Sequence, residues 1–223
     1  MFFPEKITLP KPTWKVLEIG PGSTPHPRSN AFLELHYRDE EIKLRQRGGM
    51  KATPEFGSRP VHYYEGGEFP FSTNEFAYVI CSHVLEHVLE PRQFMAEIFR
   101  VSSGRGYIEY PLLPFEYLYD IDVHLNVVKY STRTGTLYYA KKSDLLDAQS
   151  KPVRDVLRSS LEKGWAETID CNKQMFFEGV EFSKPFDIRY EPTLAYYLDE
   201  KLAFSNRTFI RYLLHRMLRT FRL

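Results

Sequence analysis

The stretch VLEIGPGSTP, Val16 to Pro25, decides how the rest of the chain is read. Residues 14–19, WKVLEI, form a short apolar run closed by Gly20-Pro21-Gly22, as expected of a buried parallel strand that ends in a sharp turn. Two glycines there let the backbone bend tightly and come close to a ligand. A pyrophosphate would need a third glycine and the N-terminus of a long helix, whose free N–H groups and dipole hold the anion. Here Thr24 takes the third glycine position, Pro25 and Pro27 follow, and Ala31 already opens the next apolar run. Little room remains for a helix, because parallel neighbours generally need a crossover of a dozen or more residues. An anion site is therefore poorly made.

The local charge points the same way. Glu18 precedes the turn and Glu34 falls at the end of the second run, AFLELH over residues 31–36. Two carboxylates beside a glycine turn suit a cation that carries hydroxyls. S-adenosylmethionine, with its sulfonium, ammonium and ribose, is such a ligand, and a carboxylate ending the second strand can accept both ribose hydroxyl protons.

Working outward, residues 61–64 read as a third strand, the apolar FAYVIC at 76–81 as a fourth and GYIEY at 106–110 as a fifth. Residues 91–101 place Phe94, Ile98 and Val101 at helical spacing behind Pro91 at a first helical position. A short helix is expected over 39–47. Strand, crossover, strand recurring in this way predicts an α/β chain with a parallel sheet covered by helices. Residues 127–131 and 136–140 flank a turn at 132–135 and predict an antiparallel hairpin at one edge. Beyond 142 the pattern weakens. Helix is expected over 142–163, strands over 175–180 and 186–190, and a last helix over 207–223. That helix carries Arg207, Arg211, Arg216, Arg219 and Arg222 mostly away from its apolar side, a basic face that would also suit nucleic acid.

Three stretches together resemble a known family. VLEIGPGSTP is similar to the first motif of class I S-adenosylmethionine-dependent methyltransferases. FPFSTNEFAYVICSHVLEHVLEPRQFMAEIFRVSSGRGYIEYP, residues 69–111, resembles the type-11-like branch, and HLNVVKYSTRTGTLYYAKK, residues 124–142, resembles the edge hairpin of one subgroup. The family's Phe-Asp becomes Phe76-Ala77. The resemblance implies a Rossmann-like three-layer sandwich over 14–142, behind an N-terminal extension 1–13 and ahead of a small C-terminal α+β addition over 143–223. It implies that Glu18 and Gly20-Pro21-Gly22 wrap the methionine part of the cofactor and that Glu34 binds the ribose. It places Glu65 near the adenine amino group, and Ser82 and His83 beside the amino-acid part and the methyl group.

Methyl transfer from a sulfonium is an in-line displacement with a good leaving group, so holding the partners collinear is the main task. A base is needed only for a hydroxyl or a protonated amine. His83 and His124 are the candidate catalytic groups. Each has a bland alternative: a hydrogen-bonded turn histidine for His83, and, for His124, which follows the acidic stretch 120–122, a structural histidine satisfied by a neighbouring carboxylate. His83, Glu86 and His87 have the look of a metal constellation, but the string lies inside the SHVLEHV signature. A structural or cofactor-loop role is preferred there and no metal is assigned. Glu109 is expected to pair with Arg105 or Lys129, and Phe115, Tyr117 and Tyr119 are read as core ahead of a pocket roof.

Composition narrows the partners. Thirty basic and 29 acidic residues in 223 give a formal charge of +1, which excludes a broadly basic nucleic-acid coat. The arginine-bearing last helix is read as a docked amphipathic helix, with an anionic membrane surface as the other reading. Two cysteines, Cys81 and Cys171, exclude a disulfide framework and a Cys-rich zinc site. A reduced cytoplasmic enzyme acting on an O or N atom of a small acceptor, a sugar or lipid-linked molecule, is the reading carried forward. Two rivals stay open: a cofactor-binding relative without chemistry, and a nicotinamide oxidoreductase.

Overall fold

The computed structural model describes residues 1–8, 11–37, 54–146 and 171–198, with positions 39, 41, 44, 155, 156 and 169 between them. The expected helix over 207–223 and most of the one over 39–47 lie outside these residues, and of the one over 142–163 the first turn, Lys142–Leu145, is helical while most of the rest lies outside.

Among the described residues, nine strands form two sheets. The larger runs in the order β3 (Val61–Tyr64), β2 (Ala31–Leu35), β1 (Val16–Ile19), β4 (Tyr78–Ser82), β5 (Gly106–Pro111) and β8 (Phe177–Phe182). All neighbours are parallel except β5 and β8, which pair antiparallel from Gly106↔Phe182 to Pro111↔Phe177. The first five strands sit where the apolar runs predict them. Every residue of β1 is buried, as is every residue of β5, because both faces of the sheet are covered. The helix α1 (Pro91–Ser102) starts on Pro91 and buries Phe94, Met95, Ile98 and Val101. It ends where Ser103 and Gly104 adopt left-handed backbone.

The hairpin is present, as β6 (Asn126–Ser131) and β7 (Thr136–Lys141), but not at the edge of the main sheet. It belongs to a second, three-stranded sheet with β9 (Asp187–Tyr190) beside β7. The main-sheet edge is taken instead by β8, which comes from the region read as a small C-terminal addition packed on the core. Gly179 on β8 makes the fit: a β-carbon there would collide with the hydroxyl of Tyr107 on β5.

Two features have no forerunner in the sequence reading. A short helix, α2 (Leu113–Tyr119), follows β5 directly. The N-terminal segment, expected as an extended lead-in, packs down. Phe3 is buried, residues Pro4–Lys6 make a single 3-10 turn, and Thr8 donates from its N–H and its hydroxyl to Glu181 on β8. No helix among the described residues is long and apolar enough to cross a membrane.

Candidate functional site

The order of the main sheet reverses between β1 and β4, since the chain leaves β1 toward β2 and leaves β4 toward β5. Ligands of open α/β sheets bind in the crevice outside the carboxyl ends at such a point. Gly20, just past β1, has φ +58° and donates its N–H to the Leu33 carbonyl at 3.0 Å. A β-carbon on Gly20 would lie 2.7 Å from Val84 Cγ2. The glycine turn and the loop after β4, joined through Gly20 and Val84 across 64 positions of sequence, therefore touch here. Gly22 has φ +61°, but a β-carbon there would meet nothing within 4 Å. Its missing side chain faces open space beside the crevice.

The crossover from β1 to β2 contains turns and no helix, as the prolines and its short length predict. Glu18 holds it together. Its Oε2 accepts the His26 N–H at 2.8 Å and the Ser29 hydroxyl at 2.7 Å. Burial pushes the Glu18 carboxyl up, and the Ser29 and His26 donors pull against it. The Arg59 guanidinium adds bonds to the His26 and Ser29 carbonyls. Glu18 thus acts on the loop, and any hold on a ligand passes through the turn it shapes.

The other expected cofactor residues line up along the same end of the sheet. Glu34 is buried near the end of β2, opposite Tyr63 in register. Glu65 follows β3, with its Oε1 3.5 Å from His36 Nδ1. Pro21 is buried beside Gly20. Ser82 ends β4 opposite Glu109, and His83 follows in left-handed backbone, φ +56°.

Glu109 organises the β4 end. Its two oxygens accept from the Ser82 hydroxyl (3.0 Å), His83 Nε2 (3.0 Å), the Tyr107 hydroxyl (2.6 Å) and the N–H groups of Phe2 (2.8 Å) and Phe3 (3.0 Å). Burial would raise its carboxyl, but His83 above all, then Tyr107 and Phe2, bring it down to about 2. The expected pairing with Arg105 or Lys129 is not made. Lys129 lies 3.3 Å from Glu178, and Arg105 sits over Trp14. The backbone of residues 2 and 3 takes the place those cations would have had.

His83 lies between two carboxylates, with Nε2 on Glu109 and Nδ1 3.3 Å from Glu86 Oε1. Burial lowers its basicity, and the two carboxylates more than reverse this, raising it to about 9. At neutral pH this imidazole already carries its second proton. It is a placed cation, able to accept a proton only under alkaline conditions. Phe2 and Phe177 present their rings edge-on to it.

His124 is not in this row. Its Nδ1 lies 2.6 Å from Glu116 Oε1 on α2, so Glu116 is the neighbouring carboxylate that satisfies it. Burial pushes the Glu116 carboxyl up, and the bond to His124 draws it back. The His124 ring packs perpendicular to that of His87, centroids 4.6 Å apart. The turn bearing Glu86 and His87 is tied to this region through the backbone, as the Glu86 carbonyl accepts from the N–H groups of Leu125 and Asn126. Glu116 was not anticipated, since nothing in the run LPFEYLY sets it apart from a surface acid.

Residues 37–109 match a family described as a methyltransferase domain. The match spans β3 through most of β5, including the SHVLEHV stretch, while the glycine turn precedes it. Among solved structures, the chain is similar to an S-adenosylmethionine-dependent methyltransferase of Thermotoga maritima (21% identity, 49% of this chain and 48% of that one, TM-score 0.31). It is also similar to ones from Mesorhizobium loti (10%, 47% and 50%, 0.33) and Aquifex aeolicus (16%, 44% and 55%, 0.28). The chain spans about half the length of these proteins. No curated protein matches.

S-adenosylmethionine is the cofactor implied by the family that residues 37–109 match, and the residues present fit it. The open side of Gly22 leaves backbone accessible to a ligand, and the buried acid Glu34 ends the neighbouring strand. The helix-free crossover offers no dipole for a pyrophosphate.

Proposed function

We propose that this chain transfers a methyl group from S-adenosylmethionine to an O or N atom of a small acceptor, with the sugar or lipid-linked class carried over from the sequence reading. The observation that carries the proposal is the contact of Gly20 with Val84, which joins the glycine turn to the β4 loop at the switch point. Bound there, the cofactor supplies an electrophilic methyl group on a sulfonium. Glu34 accepts the ribose hydroxyls, Glu65 lies toward the adenine side, and the turn from Gly20 to Gly22 lines the methionine part. His83, held by Glu109 and Glu86, presents a fixed positive charge at the β4 end. Positioning of this kind can supply roughly 7–11 kcal/mol of the barrier.

The test is calorimetry with S-adenosylmethionine and S-adenosylhomocysteine, run beside a methyl-release assay over sugar, lipid-linked and amine acceptors. Saturable binding with turnover of one acceptor class supports the proposal. A thermal shift with NAD and none with S-adenosylmethionine overturns it. A second reading, a cofactor-binding relative without chemistry, draws support from His83 already holding both protons. Binding without turnover across the acceptors would favour it.

A further inference from the structure

Glu86 is an anomaly. Its side chain is 1% exposed, and neither carboxylate oxygen accepts a hydrogen bond. His83 Nδ1 stands at ion-pair distance from Oε1 without the alignment of a hydrogen bond. The His83 cation offsets part of its charge, but two buried carboxylate oxygens without a hydrogen-bond donor remain costly unless a further ligand satisfies them.

The neighbours supply the rest of a coordination sphere. One potential ligand atom from each of Glu86, His87 and His124 lies within 4.8 Å of the others. Both rings are already oriented from behind. His87 Nδ1 faces the Val123 carbonyl at 3.1 Å, and His124 Nδ1 faces Glu116 Oε1 at 2.6 Å. In each ring the proton belongs on Nδ1, which leaves the Nε2 lone pair as the ligand. A carboxylate or a carbonyl behind a histidine is the usual outer support of a metal-bound imidazole. Glu116 is itself fully buried, with Oε2 unbonded.

From this arrangement we infer a divalent transition-metal site formed by Glu86, His87 and His124, with Glu116 and the Val123 carbonyl as outer supports. Two imidazoles and one carboxylate suit Zn²⁺ above Mg²⁺ or Ca²⁺, which prefer all-oxygen surroundings. Three protein ligands leave a fourth position open, the pattern of zinc sites that keep an exchangeable ligand. The site is separate from the cofactor contacts and does not depend on methyl transfer. It adjoins them through His83, which touches both Glu86 and Glu109.

The test uses the full chain, stripped with chelator and titrated with Zn²⁺ by calorimetry, with bound metal counted by mass spectrometry. The expected result is one Zn²⁺ per chain, with affinity at least tenfold weaker in His87→Gln and in His124→Gln. Glu116→Gln should weaken it 10- to 100-fold, the usual cost of losing an outer carboxylate. His62→Gln, on the edge strand β3, should leave it unchanged. Absence of uptake overturns the site, as does uptake that persists undiminished in both histidine variants. If those variants do not fold, Co²⁺ loaded into the wild-type chain decides. Visible ligand-field bands of a low-coordinate nitrogen–oxygen site support the assignment, and the weak spectrum of the hydrated ion overturns it.

Discussion

Val84 Cγ2 stands 2.7 Å from where a β-carbon on Gly20 would be, so the loop after β4 is seated directly on the turn after β1. Two separate costs follow for any side chain at position 20. The left-handed backbone at φ +58° penalises it by about 1–2 kcal/mol, and Val84 must also move. Gly20→Ala should lower unfolding free energy by about 1–3 kcal/mol and weaken S-adenosylmethionine binding. Gly22→Ala should cost stability only through its backbone, because its β-carbon meets open space, while still weakening the cofactor. Urea denaturation beside calorimetry separates the two. Equal stability losses at the two glycines would contradict the contact.

Glu34→Ala should weaken S-adenosylmethionine binding by more than about 1 kcal/mol, because a charged acceptor of the ribose hydroxyls is lost. Calorimetry measures this, and a melting curve of the variant shows that the buried position still folds. An unchanged dissociation constant would remove Glu34 from the ribose.

The His83–Glu109 pair predicts a definite pH dependence. The folded value of His83, about 9, lies above its ordinary 6.5. Its stabilisation is therefore whole below pH 6.5 and is lost as pH rises through about 9. Glu109, at about 2, lies below its ordinary 4.5. Seen from its side, the same interaction is whole above pH 4.5 and is lost as pH falls through about 2. Stability from the pair is thus fullest between pH 4.5 and 6.5. The His83 side chain is 28% exposed, so solvent tempers the effect. Denaturation midpoints should fall from pH 6.5 to 9 in the wild type and fall less in His83→Asn, a residue that tolerates left-handed backbone. Parallel profiles for the two proteins would refute the pairing.

Ser29→Ala removes one of the two donors to Glu18 Oε2 in a buried setting. A loss of about 1 kcal/mol is expected, together with faster amide exchange over the helix-free crossover. Exchange confined to the strands would show that Glu18 does not organise that loop.

The local signals were legible because each lay within one turn or one strand. The double glycine, the proline-broken crossover and the apolar run before SHVLEHV all predict what is seen. What escaped was long-range. His124 meets His87 across 37 residues, and Glu109 meets Phe2 and Phe3 across more than a hundred. The hairpin's turn was readable from Thr132–Gly135, but its sheet partner β9 lies near residue 188 and no turn signal announces it. The edge strand β8 was found as a strand, yet its antiparallel seat on β5 depends on Gly179 accommodating Tyr107, which no periodicity encodes. The sequence grouped Glu86 with His83 and His87, but that His124 joins them depends on the fold bringing residues 86 and 124 together.

The fit of Gly179 against Tyr107 has a mechanical consequence. The Tyr107 hydroxyl donates to Glu109, which in turn bonds Ser82 and His83. Bulk introduced at position 179 would act as a wedge, pushing the phenol off its acceptor and slackening the imidazole two links away. Substitutions on an outer strand would then be felt at the crevice, without any group of that strand entering it.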